Sequence, residues 1–234
     1  MNRKRPHNLK LLSLCTSEQG CSLAIVSGFS LVYEEFWSTK LTHSRRLIKM
    51  IEYMLENRTG LKLNDIDGFV VARGPGSFTG LRIGISVIKG LSYAVGKPVA
   101  GVSSLDGIAF RFTCSSIPVC VMMDAKRNEV YCSVYDFNNG NLISKTPEAV
   151  VSPKEAIGMA KGKSALFAGS GSKAYKEIIE QEANQPVFTQ SFFDHASAAA
   201  LVQSMYLRDN YFSVSGNDII PRYIRKSDAE LHLQ

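Results

Sequence analysis

Residues 67–84, Asp67-Gly-Phe-Val-Val-Ala-Arg-Gly-Pro-Gly-Ser-Phe-Thr-Gly-Leu-Arg-Ile-Gly84, carry a short apolar run through a glycine turn into a helix-forming stretch. The run is rich in β-branched residues and bounded by glycines, so it reads as a buried strand. Gly80 and Gly84 stand four residues apart, on one face of the helix that follows. A glycine inside a helix costs about 1 kcal/mol relative to alanine. Two on one face predict that something packs there too closely for a Cβ.

The same logic organises the rest of the chain. Strand patterns at 9–14 and 21–26 flank the turn 16–20, and a third covers 30–37. A helical pattern spans 42–57 and stops at Gly60, the strand 68–73 leads into a helix over 79–95, and a short strand at 99–102 precedes another helix. The second half begins alike: strands at 117–123 and 129–137 around the turn 124–128, then a third at 142–146 after Asn138-Asn-Gly-Asn141. Helices start at Ser152-Pro153, over 173–182 and over 197–207, with a strand at 165–168. Both halves read β-β-β-α-β-α, a duplicated α/β protein with lobes expected at 1–113 and 114–234.

Composition excludes several classes. The chain has 234 residues, 45% hydrophobic and 21% charged, as in ordinary globular proteins. No apolar run approaches the roughly 20 residues that span a bilayer, and the start Met1-Asn-Arg-Lys-Arg-Pro-His7 leads into too short an apolar segment for a signal peptide. Five cysteines without a C-x-x-C pair fit a reducing compartment, so a cytoplasmic protein is expected. Half of the +6 charge lies in Arg3, Lys4 and Arg5, which leaves the body short of a dedicated nucleic-acid stripe.

The segment Arg73-Gly-Pro-Gly-Ser-Phe-Thr-Gly-Leu-Arg-Ile-Gly84 resembles the motif of the bacterial TsaB family. His43-Ser-Arg-Arg-Leu47, Asp124-Ala-Lys-Arg-Asn-Glu-Val-Tyr131 and Ile220-Pro-Arg-Tyr-Ile-Arg225 resemble it too, in the family's order. The resemblance implies two actin-like lobes. It also implies a non-catalytic subunit in the threonylcarbamoylation of tRNA adenosine, a TsaD-like catalytic paralogue and a TsaE-like ATPase as partners, a homodimer, and tRNA met through the complex. The alternative is a stand-alone actin-fold kinase or ATPase.

The residues weigh on that choice. Leu81 follows Gly80 where a Walker loop needs lysine, and Gly74, Gly76 and Gly80 are spaced too widely for a dinucleotide fingerprint. Actin-like kinases hold Mg²⁺ with an acid in each lobe's first turn. Here the second turn has Asp124, whereas the first has Cys15, where relatives commonly carry aspartate. Asp124 is expected to brace its own turn through Lys126 and Arg127, and Gly169-Ser-Gly-Ser172 to be a plain strand-to-helix turn. TsaD-like catalysts carry a metal-binding histidine pair, whose positions align with Ser104 and Ile108. No catalytic, cofactor or metal residue is therefore assigned. Nor is a protease, since no G-x-S-x-G elbow occurs.

What remains is a surface. The helix over 79–95 has only Arg82 and Lys89 as charges, and in the helix over 42–57 a core stripe of Leu47, Ile48, Ile51, Met54 and Leu55 is widened by His43, Arg46, Met50 and Tyr53. An apolar arc wider than about 100° predicts burial on more than one side. The partner surface is accordingly expected at His43, Arg46, Leu47, Met50 and Tyr53, and at Gly76, Ser77, Phe78, Thr79, Gly80, Arg82, Ile83, Gly84 and Val87. On this reading Gly84→Leu abolishes association and leaves the chain folded.

Overall fold

A computed structural model describes residues 9–38, 44–207, 212 and 218–225. In chain order its elements are β1 (Lys10–Cys15), β2 (Gly20–Ser27), β3 (Ser30–Ser38), α1 (Ser44–Tyr53), β4 (Gly68–Ala72), α2 (Phe78–Val95), β5 (Val99–Val102) and α3 (Ser104–Ala109). There follow β6 (Val119–Lys126), β7 (Glu129–Asn138), β8 (Asn141–Lys145), β9 (Ala149–Val151), α4 (Pro153–Met159), β10 (Leu166–Ala168), α5 (Ser170–Ala174), α6 (Lys176–Glu182), β11 (Val187–Phe188) and α7 (Ala198–Tyr206). His43 lies outside the described residues.

Two compact units result, one from the residues up to Gly107 with Ser197–Arg222, the other from Ile108–Ala196 with the residues from Tyr223 on. A single cut at 113/114 does not describe this division, because α7 returns to the first unit. Its start is fixed there by Glu34, whose Oε1 accepts from Ser197 Oγ at 2.7 Å and from Ala199 N at 3.2 Å, and by Ser22 Oγ, which accepts from Ala198 N at 2.9 Å. Farther along, Ser204 Oγ donates to the buried Asp106 Oδ2 at 2.9 Å.

Both units share one strand plan. The first sheet runs β3-β2-β1-β4-β5, with β1, β2 and β3 antiparallel and β4 and β5 parallel to β1. The second runs β11-β10-β6-β7-β8, with β10 and β11 parallel to β6 and β9 added on β7. These are two actin-like α/β lobes, the duplication expected from the order of the elements. In the first unit β4 is buried along its whole length, as a parallel strand covered on both faces must be. Leu12, Leu14, Leu23, Phe69 and Val71 meet Leu47, Ile51 and Met54 of the α1 arm and Ile85 and Ile88 of α2 in one apolar cluster. In the second unit Met122, Val130 and Cys132 pack with Ala156, Phe167 and Ile179.

Three local departures have physical causes. After α1 the helix widens into a π turn over Met54–Thr59, which keeps Met54 and Leu55 both buried and ends at Gly60, φ 65°. The expected helix over 173–182 breaks at Tyr175 (φ −115°) into α5 and α6. The short strands β9 and β11 carry too little pattern to be read from sequence.

Candidate functional site

The glycine turn is filled by the chain itself. A methyl group on Gly80 would overlap Thr16 O, one on Gly84 would overlap Thr16 Oγ1, and one on Gly76 would overlap Ser17 O. Thr16 Oγ1 donates to Gly80 O at 2.7 Å, and Ser77 N donates to Ser17 O at 2.7 Å. Ser77 also caps α2, its Oγ accepting from Gly80 N at 3.2 Å. Two amides at this helix start, those of Ser77 and Gly80, are thus spent on the β1–β2 turn and the cap and do not face a phosphate. The close approach foreseen from the glycine spacing exists, and the approaching group is Thr16. Gly76, Gly80 and Gly84 therefore support the fold from within, and Gly84→Leu tests folding before it tests association.

Cys15, at the end of β1, is buried with its Sγ 3.2 Å from Ser17 Oγ. Burial pushes its thiol up to about 11, and that of Cys21 to about 12, so both stay neutral and offer no charge to a cation. Because Cys15 pairs in register with Ser22, Cys21 faces the other side of the sheet, and both are free thiols.

In the second unit Asp124 closes its own turn. Its Oδ1 accepts from Lys126 N at 2.8 Å and its Oδ2 from Lys126 Nζ at 2.6 Å, around three successive left-handed residues, Lys126, Arg127 and Asn128. Hydrogen bonding to that carboxylate holds the Lys126 ammonium above its ordinary range. Gly169 and Gly171 form the strand-to-helix turn, where a Cβ on either would press on Met122 O. The segments 124–131 and 220–225 meet here: Arg225 Nη1 donates to Ala125 O at 2.8 Å and lies 3.2 Å from Glu129 Oε2. In the first unit, Arg222 N donates to Arg73 O at 2.6 Å, beside Gly74.

The expected surface residues separate into two groups. Leu47 is core at 1% exposure, and Gly80 and Gly84 are buried. Arg46, Tyr53, Ser77, Phe78, Thr79 and Arg82 are exposed, and Met50, Ile83 and Val87 are half-buried. The Arg82 guanidinium stacks on the Phe78 ring at 3.7 Å, and Arg58 lies over Tyr53 at 5.2 Å. Ile48, assigned to the core stripe, is 47% exposed, since Leu47 and Ile51 take the inward positions. Ile83, Val87 and Leu91 lean on the unit's own core. Sequence reasoning missed Ser86, Gly90 and Tyr93, all on the outward face of α2, with Tyr93 92% exposed. Gly90 was a usable signal: a Cβ there would meet nothing within 4 Å, so no internal contact demands the glycine.

Ser104 and Ile108, which the resemblance sets against the catalysts' histidine pair, are fully buried. Among the described residues no cluster of three or more His, Cys, Asp or Glu is arranged to hold a metal ion, and no helix is long and apolar enough to cross a membrane.

Two actin-like lobes with a self-filled glycine turn define the class, and comparison with known proteins gives the family. The model of the family described as "TsaD: tRNA N6-adenosine threonylcarbamoyltransferase" matches residues 38–233. The tRNA threonylcarbamoyladenosine biosynthesis protein TsaB of Haemophilus influenzae is 33% identical over 236 residues, covering 93% of this chain and 94% of that protein. Its Bacillus subtilis namesake is 27% identical, covering 95% and 96%. YeaZ from Pseudomonas aeruginosa superposes with a TM-score of 0.78 at 28% identity, over 92% of this chain and 99% of that one. The chain belongs to the TsaB (YeaZ-type) family, within the wider TsaD family.

Proposed function

We propose that this chain is a non-catalytic subunit in the biosynthesis of threonylcarbamoyladenosine in tRNA. Its relatives' role in that pathway supports the assignment. In this reading the outward side of α1 and α2 docks on a TsaD-like paralogue, a TsaE-like ATPase joins the pair, and tRNA is met through the complex. The same face would serve a homodimer. The observation that carries the docking surface is the exposure of four large side chains on α1 and α2, Ile48, Tyr53, Phe78 and Tyr93, each between 38% and 92% exposed. Support for the non-catalytic part comes from the chemistry in place: a buried neutral thiol at Cys15, an Asp124 carboxylate engaged with its own turn, and Ser104 and Ile108 where the catalysts have histidines.

Two measurements test this. Depleting the protein and analysing tRNA nucleosides by mass spectrometry should lower threonylcarbamoyladenosine, and an unchanged level rejects the pathway. Co-purification with the TsaD-like paralogue should be lost in Tyr53→Ala/Arg82→Glu with an unchanged circular dichroism spectrum; retained association rejects the surface. Calorimetric titration of the isolated chain with Mg-ATP distinguishes the stand-alone ATPase, which requires binding and turnover.

A further inference from the structure

We propose that the outer edge of β3 receives an added strand from another polypeptide, an extended segment in which basic and apolar residues alternate. The inference is independent of the pathway assignment. Among the described residues the sheet edges other than that of β3 are blunted in familiar ways. Strand β5 has only four residues, buried but for the half-buried Gly101. Strand β11 has two residues, while β8 has five, polar at both ends and closing in Lys145. By contrast, β3 runs for nine residues, Ser30-Leu-Val-Tyr-Glu-Glu-Phe-Trp-Ser38, without lysine, arginine, histidine or proline. Among the described residues it pairs only with β2, and Leu31, Val32 and Phe36 along it are 55%, 47% and 38% exposed.

The edge is also held ready. A bulge near Val32 shifts the register once, after which Tyr33–Ser38 matches Ile25–Gly20 without interruption. Tyr33 and Trp37 pack against the core on one face. On the other, Glu34 accepts from Ser22, Ser197 and Ala199, and the Phe36 ring fills the space left by Gly20. A strand fixed on both faces loses little freedom when its free edge is paired, which favours strand addition.

Charge selects the occupant. The strand carries Glu34 and Glu35 and no cation, so pairing two copies of β3 would gather four carboxylates across one seam. Like charges on neighbouring strands are destabilising, and this disfavours a second copy. Glu34 is committed inward, whereas the half-buried Glu35 accepts from Tyr33 Oη on its own strand at 2.8 Å and can still face a cation across the edge.

The experiment titrates the full chain into a fluorescein-labelled ten-residue peptide of alternating valine and lysine, followed by anisotropy, with binding sites mapped by amide hydrogen exchange. The expected result is saturable binding that slows exchange in 31–38, weakened about fivefold for the alternating valine–glutamate peptide. Glu35→Lys should reverse that preference. Methylating every second peptide nitrogen should abolish binding to the unaltered protein, a control that requires no variant to fold. The proposal is overturned by absence of binding, by binding that survives N-methylation, by protection elsewhere, or by a dimer of the chain that protects β3.

Discussion

The two units solve one problem at different closeness. In each, backbone at or near the end of the first strand presses on the start of a helix, and in each a pair of glycines makes room. In the first unit Thr16 reaches over Gly80 and Gly84, locking a turn onto α2, a helix of 18 residues. In the second the turn is closed by Asp124, and Met122 O rests on Gly169 and Gly171 before a helix of five residues. A Cβ on Gly171 would sit 2.9 Å from Met122 O, a milder overlap than that of a Gly80 Cβ with Thr16 O, while one on Gly169 would overlap Met122 O more deeply than one on Gly171. Both glycines of the first junction lie inside the longer helix, whose far side is left to face outward, whereas in the second Gly169 precedes the short helix and only Gly171 lies within it.

The comparison breaks if the two junctions respond alike to added methyl groups. Gly80→Ala should cost about 3 kcal/mol in denaturant unfolding, combining overpacking against backbone with loss of the Thr16 bond, less the alanine helix gain. Gly171→Ala should cost about 1.5 kcal/mol, because its Cβ would press less deeply on Met122 O than a Gly80 Cβ would on Thr16 O. Equal losses would contradict the difference in closeness.

Titration sharpens it further. Cys15 and Cys21 lose their protons near 11 and 12 in the folded chain against 9.0 for a free thiol. The unfolded state therefore releases protons first, and stability falls as pH rises from about 9 toward 11, by about 1.4 kcal/mol per pH unit for each thiol. Thermal melts between pH 8 and 10.5 should show this slope, and Cys15→Ala should remove part of it. Below pH 9 the thiols contribute no slope.

Gly90→Ala, on the outward side of the same helix, should stabilise the isolated chain by about 0.7 kcal/mol, since it fills no space used by the protein. If the proposed partner covers that face, the same variant weakens association. The smallest effect is expected at Asp124→Asn, about 0.5 kcal/mol, because its partner Lys126 is largely exposed and the amide oxygen can still accept from Lys126 N.

Much of this was legible beforehand. Strand alternation, the Asn-Gly hairpin and the Gly60 stop gave the order of elements, and the paired glycines announced a close approach. The identity of the approaching group was not legible, because Thr16 and Gly80 lie 64 residues apart and only tertiary folding brings them into contact. Helical periodicity placed Ile48 inward, yet the rotation of α1 chosen by Leu47 and Ile51 left it outside. The return of α7 was hidden for a similar reason: Glu34, Ser22 and Ser197 are ordinary residues until their hydrogen bonds form.

By itself the sequence determined a duplicated α/β chain with a glycine-lined junction, since periodicity and backbone freedom are local properties. Tertiary structure alone decided that the junction closes on the chain's own turn and that Cys15 is kept neutral. It also decided which sides of α1, α2 and β3 stay open. Those outcomes depend on which distant atoms exclude water and each other, and no local pattern encodes that.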